Sequence, residues 1–97
     1  MVRFLVNSVF TYSCRVLKDS TVNAFCVAVA QALKQERLRK NLSMTTIAER
    51  AGLSQQMVSY VERGIRKPTL DTVFRICLAL ESDFGKIIRS AMKNLQT

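Results

Sequence analysis

Gly52 divides residues 44 to 63, MTTIAERAGLSQQMVSYVER, into two apolar patterns that one continuous helix cannot accommodate. Ile47, Ala48 and Ala51 recur at three and four residues, so they share one face of a short helix. Glycine accepts the left-handed backbone that ends a helix, and Leu53 then falls in the corner. Ser54 is suited to cap a second helix by accepting its free amide hydrogens. Val58 and Val61 carry the apolar face of that helix, while Gln55, Gln56, Ser59 and Arg63 point elsewhere. Two short helices meeting at a tight turn, the second polar on its outer face, constrain everything around them.

The flanks supply what such a pair packs on. Asp19, Ser20 and Thr21 each offer a cap for a long helix with Val22, Phe25, Cys26, Val29, Ala32 and Leu33 as its stripe, running to about Lys40. Its basic end, residues 34–40, suits the negative pole of the helix dipole. Asn41 fits a helix-ending position, Leu42 returns to the core, and Ser43 caps the next helix. Beyond Arg63, the run Gly64-Ile65-Arg66-Lys67-Pro68 reads as a loop. Thr69 opens a fourth helix, with Leu70, Val73, Ile76, Cys77 and Leu80 at core spacing and Phe74 beside them. Ser82 or Asp83 opens a fifth, patterned by Phe84, Ile87, Ile88, Ala91, Met92 and Leu95. The inner residues of that last stripe close the core; Ile88, Met92 and Leu95 form its outer edge, a candidate contact with a second copy.

The expected fold class is all-α: a five-helix domain over residues 20–97 behind an extension of residues 1–19. Three glycines, one proline and no tryptophan agree with helices rather than a sandwich or barrel. A chain of 97 residues forms one domain. In the extension, Phe4 to Cys14 is an uncharged, mostly apolar run behind Arg3 that faintly suggests a signal peptide. It is too short to span a bilayer and no small-x-small cleavage pattern follows, so export and membrane anchoring are not expected. Two readings stay open for it: a loosely ordered tail, or short strands 2–6 and 9–12 resting on the helical body or a partner chain.

Fifteen Lys and Arg against seven Asp and Glu leave a net charge of +8, which calls for an acidic partner, most simply nucleic acid. Cys14, Cys26 and Cys77 are odd in number and far apart, and histidine is absent. Zinc ligation is therefore not expected, and a reducing cytoplasm is. Cys26 and Cys77 fall at apolar helical positions, where a thiol behaves as a small hydrophobe. Without histidine, an activated nucleophile or a phosphate-cradling glycine loop, the chain reads as no enzyme and needs no cofactor.

With these elements in place, about residues 23 to 95 resemble the Cro/cI-type (XRE) helix-turn-helix family of phage repressors and small bacterial regulators. The resemblance lies in Ala48, Gly52, Val58 and Val61 within the motif, and outside it in Leu42-Ser43, Glu62-Arg63-Gly64, the basic loop ending at Pro68, and Thr69-Leu70. It implies a lambda-repressor-like DNA-binding domain whose recognition helix, residues 54–63, enters the major groove. By that resemblance Ser54, Gln55, Gln56 and Ser59 face the bases, and Tyr60 stands where relatives use a polar contact. A glutamine amide offers the donor and acceptor that match adenine N6 and N7. Candidate phosphate contacts are Thr45 and Thr46, at a helix start with free N–H groups, and Arg63, Arg66 and Lys67. The resemblance also pairs Arg37 with Glu62 and holds the Arg37 guanidinium at the phosphate-facing edge. Met44 departs from the family, many of whose members place there a glutamine that binds the DNA backbone.

The function so implied is a homodimeric, sequence-specific regulator, most simply a repressor, on a near-palindromic double-stranded operator. The competing reading is an interaction module, such as an antitoxin masking a toxin or another small protein partner through residues 1 to 20 or the last helix.

Overall fold

The computed structural model describes residues 19–96, which form α1 (Asp19–Arg39), α2 (Met44–Ala51), α3 (Gln55–Glu62), α4 (Leu70–Leu80) and α5 (Phe84–Gln96). The tail-or-strand alternatives for the extension, and Cys14 with them, lie outside the described residues. Among these, no helix is long and apolar enough to cross a membrane.

Helix boundaries are set by repeated local chemistry. Ser43, Ser54 and Thr69 adopt extended backbone, and each side-chain oxygen accepts the amide of the residue three further on. The distances are 3.0 Å to Thr46, 3.0 Å to Met57 and 3.1 Å to Thr72. Each such cap contributes about 0.5–2 kcal/mol. Four positions with positive φ mark the helix ends: Asn41, Gly52, Gly64 and Glu81. After each, the next amide reaches back five residues: Leu42 to Arg37 O, Leu53 to Ala48 O, Ile65 to Tyr60 O and Ser82 to Cys77 O. Glu81 was not legible as such a position. A side chain there costs about 1–2 kcal/mol in left-handed backbone, and Lys40 Nζ, donating to the Leu80 and Glu81 carbonyls, offsets part of it.

The core joins α1 to α5 and α2 to both α3 and α4. Leu33, Ile47, Ile76, Leu80, Val58, Val61 and Cys77 are essentially inaccessible, and each large aliphatic among them contributes about 1.5–3 kcal/mol. Burial, and secondarily the charge of Asp83, pushes the Cys77 thiol up to about 11, so it behaves as an apolar filler. Ala48 and Ala51 keep the inner face of α2 slim enough for its neighbours to approach. Among the residues expected at the core, Val22 at the start of α1 and Leu70, 73% exposed, as the first residue of α4, are exposed instead, and so is Phe74, which lies edge-on to Phe84. Helical side chains lean toward the N-terminus, so residues in a first turn project past the core their helix covers. Phe84 and Ile88 are half-buried against the core, while Met92 stays exposed.

Glu36 ties the end of α1 to the α4–α5 turn. Its carboxylate accepts from Arg39 at 2.6 and 3.1 Å and from Ser82 Oγ at 3.0 Å, with Lys40 Nζ at 3.6 Å. The Arg39 hydrogen bonds, opposed by burial and aided by Ser82 and the nearby cations, hold the Glu36 carboxyl down to about 2 from its ordinary 4.5. A lowered folded-state value stabilises above the ordinary range and is lost as pH falls through the folded value. Glu36→Gln is therefore expected to be less stable than the parent at neutral pH. In denaturant titrations across a pH series, the gap should close between about 4.5 and 2. A gap independent of pH would refute this role for the carboxylate.

Candidate nucleic-acid interface

The interface is built on α3, whose two sides differ in chemistry. Val58 and Val61 are buried and Met57 packs on the core. Gln55 and Gln56 are exposed, with Ser59 and Tyr60 half-exposed beside them one turn on. At 100° per residue, positions 55, 56, 59, 60 and 63 span one continuous outer surface opposite the valines. Ser54 stands at the head of the helix, and its oxygen already accepts the Met57 amide. What it can still offer a base is its hydroxyl proton and its second lone pair.

Arg63, Arg66 and Lys67 follow α3 and are all exposed. Two of them are held rather than waving: the Arg63 and Arg66 guanidinium carbons each lie 5.8 Å from the centroid of the Tyr60 ring. On the same residue, Gln56 Nε2 donates to Tyr60 Oη at 2.6 Å. None of these three contacts was anticipated. The i, i+4 spacing of Gln56 and Tyr60 was the available signal for the last.

Thr45 is exposed and Thr46 half-exposed at the start of α2. The Thr46 amide is taken by Ser43 Oγ, which also donates to Thr46 Oγ1 at 2.9 Å. Helix geometry leaves the amides of Met44 and Thr45 without an intrahelical acceptor. The Met44 side chain turns to the core, where it is half-buried.

Arg37 is held within the protein. The expected pairing with Glu62 is present: Nε donates to Glu62 Oε2 at 2.7 Å and one terminal nitrogen to Oε1 at 2.9 Å. The other terminal nitrogen donates to the Leu42 carbonyl at 2.9 Å. All three guanidinium nitrogens are engaged and 9% of the residue is exposed. Arg37 fastens the end of α3 to the end of α1 and to the turn before α2, and so sets where the outer face of α3 points. Arg75 does related work, pairing with Asp71 and donating to the Ala51 carbonyl at the end of α2.

A short helix, a left-handed turn, and a second helix with a polar outer face and a basic exit define a helix-turn-helix domain. The chain belongs to the helix-turn-helix family, of the Cro/cI (XRE) type: the family model matches residues 33–87. Two curated relatives, uncharacterized HTH-type transcriptional regulators from two Mycobacterium tuberculosis strains, are 42% identical over 48 residues. That match covers 50% of this chain and 34% of each relative, so the chain spans about a third of their length. Among solved structures, the clp gene regulator ClgR from C. glutamicum superposes with a TM-score of 0.68 at 23% identity, covering 72% of this chain and 91% of that one. The restriction-modification controller protein C.Esp1396I, solved as a tetramer with its natural 35 base-pair operator, gives 0.70 at 22% identity, covering 75% and 96%. These likenesses establish the all-α fold.

Proposed function

We propose that the chain is a sequence-specific, double-stranded DNA-binding transcriptional regulator that acts in the cytoplasm as a homodimeric repressor. The observation that carries this reading is the outer face of α3, where exposed Gln55 and Gln56 stand beside Ser59 and Tyr60 and are followed directly by three cations. Set in the major groove, that face offers amides to base edges while Arg63, Arg66 and Lys67 meet the backbone. Thr45 and the first amides of α2 would meet a phosphate on the other side, and Arg37 acts through the orientation of α3. C.Esp1396I, a protein of the same fold, was solved in complex with its natural 35 base-pair operator, which supports the reading.

Two copies would read two half-sites about 34–36 Å apart, giving a near-palindromic operator. Copies of a chain with net charge +8 repel one another, so they must meet on an uncharged face. Leu70, Phe74 and Leu78, exposed at four-residue intervals along α4, supply an apolar candidate, with Phe74 edge-on to Phe84 of α5 at 6.0 Å. A dimer seated over a promoter would block polymerase, hence repression.

Salt titration of binding, with a selected duplex and a mixed-sequence competitor, tests the reading. The selected duplex should bind more tightly at every salt concentration. Arg66→Ala with Lys67→Ala should weaken both duplexes alike and reduce the salt slope by about 2, roughly 0.9 per lost phosphate contact. Equal affinity for all duplexes would refute sequence-specific regulation.

A further inference from the structure

Tyr60 joins the base-reading and backbone-binding groups through one side chain. Its hydroxyl accepts a hydrogen bond from Gln56 Nε2 at 2.6 Å, and its ring has the Arg63 and Arg66 guanidinium carbons 5.8 Å from its centroid. Building on the DNA-binding reading above, we propose that Tyr60 is a positioning residue for recognition, orienting Gln56 for one base pair and seating Arg63 and Arg66 for the backbone.

The chemistry of the amide makes this work. After one hydrogen goes to Tyr60, Gln56 keeps a second hydrogen and its carbonyl oxygen, the pair that adenine N6 and N7 require. A long exposed side chain otherwise loses rotamer freedom on binding, and ordering it beforehand removes part of that cost. The ring does the same for the arginines. Gathering two like charges at one ring raises their mutual repulsion, which an arriving phosphate relieves. The Tyr60 hydroxyl, while accepting from Gln56, still has its own proton to donate toward the DNA.

Selection of bound duplexes from a random pool, run on the full chain and on Tyr60→Phe, Tyr60→Leu and Gln56→Ala, separates these roles. Tyr60→Phe keeps a ring for the arginines and removes the acceptor. It should lower the preference at one base pair per half-site about two- to tenfold, the net worth of one hydrogen bond, with the salt slope unchanged. Tyr60→Leu should show the same loss and bind all duplexes about fivefold more weakly, as the two cation–ring contacts go. In the Gln56→Ala background, Tyr60→Phe should have no further effect on preference, because the hydroxyl acts through Gln56. Thermal melting of each variant registers whether the fold is kept, and the Phe variant carries the test if the Leu variant unfolds. A Phe variant with the parent's base preferences overturns the inference. So does one that weakens every duplex equally, which would make the hydroxyl a plain phosphate contact. If the parent itself enriches no sequence, the DNA-reading proposal fails and this inference with it; if only the parent-to-Phe difference is missing, Tyr60 alone has been misassigned.

Discussion

Arg37→Ala is expected to cost about 3–5 kcal/mol of folding stability, because it strands Glu62 as a buried, unpaired carboxylate. The side chains of the pair are 10% and 6% exposed. Their two parallel hydrogen bonds are joined by a third from Arg37 to the Leu42 carbonyl, which would also lose its donor. Since domains of this size are stable by only about 5–15 kcal/mol, the variant should be near the edge of folding. Chemical denaturation measures the loss directly. A cost of at most about 1 kcal/mol, as for exposed pairs, would show that the contact is ornamental. Replacing both partners, Arg37→Met with Glu62→Leu, should recover much of the stability, since the penalty comes from the orphaned charge rather than from the pair's net strength. Any residual DNA-binding defect in that double variant would then report on the angle of α3.

Gln55→Ala and Gln56→Ala should act on binding rather than on folding. Both side chains are exposed and neither touches the core. Each bidentate glutamine–adenine pair contributes about 1–3 kcal/mol of discrimination, so each substitution should relax one base-pair preference by roughly 5- to 150-fold. Weak binding to unrelated duplexes, which rests on the phosphate contacts, should persist with the same salt slope. Competition binding against duplexes altered at single positions reads this out. If the glutamine variants instead behave like Arg66→Ala and Lys67→Ala, the division between base readers and backbone anchors is wrong.

Most of the helical frame was legible before any coordinates because its signals are local. Ser43, Ser54, Gly52 and Asn41 act on backbone within a few residues of themselves, and the structure places them at caps and left-handed turns as expected. Val58, Val61, Ile47 and Leu33 follow from periodicity, and all are buried. The departures arise where tertiary context overrides pattern. Val22 and Leu70 obey the apolar spacing but occupy the first turns of their helices, where side chains project past the core. Glu81 takes a left-handed conformation that its residue type disfavours, supported by Lys40 from a distant helix. At the interface, residue types and order were readable, but their mutual contacts were not. The pairing of Arg37 with Glu62 is present as the resemblance implies, but the third hydrogen bond of Arg37, to the Leu42 carbonyl, is not a matter of spacing. The i, i+4 spacing admits the Gln56–Tyr60 contact, but the seating of Arg66 on the same ring depends on how the chain turns after Gly64, which spacing alone does not specify.

The central claim is that the outer face of α3 reads DNA sequence. Selecting bound duplexes from a random pool with the full chain tests it most directly. The expected result is one enriched, near-palindromic site with half-sites about one helical turn, 34–36 Å, apart and with adenines among the preferred bases. A pool that emerges with no enriched sequence, while still retaining bound DNA, would contradict the claim and leave only backbone binding.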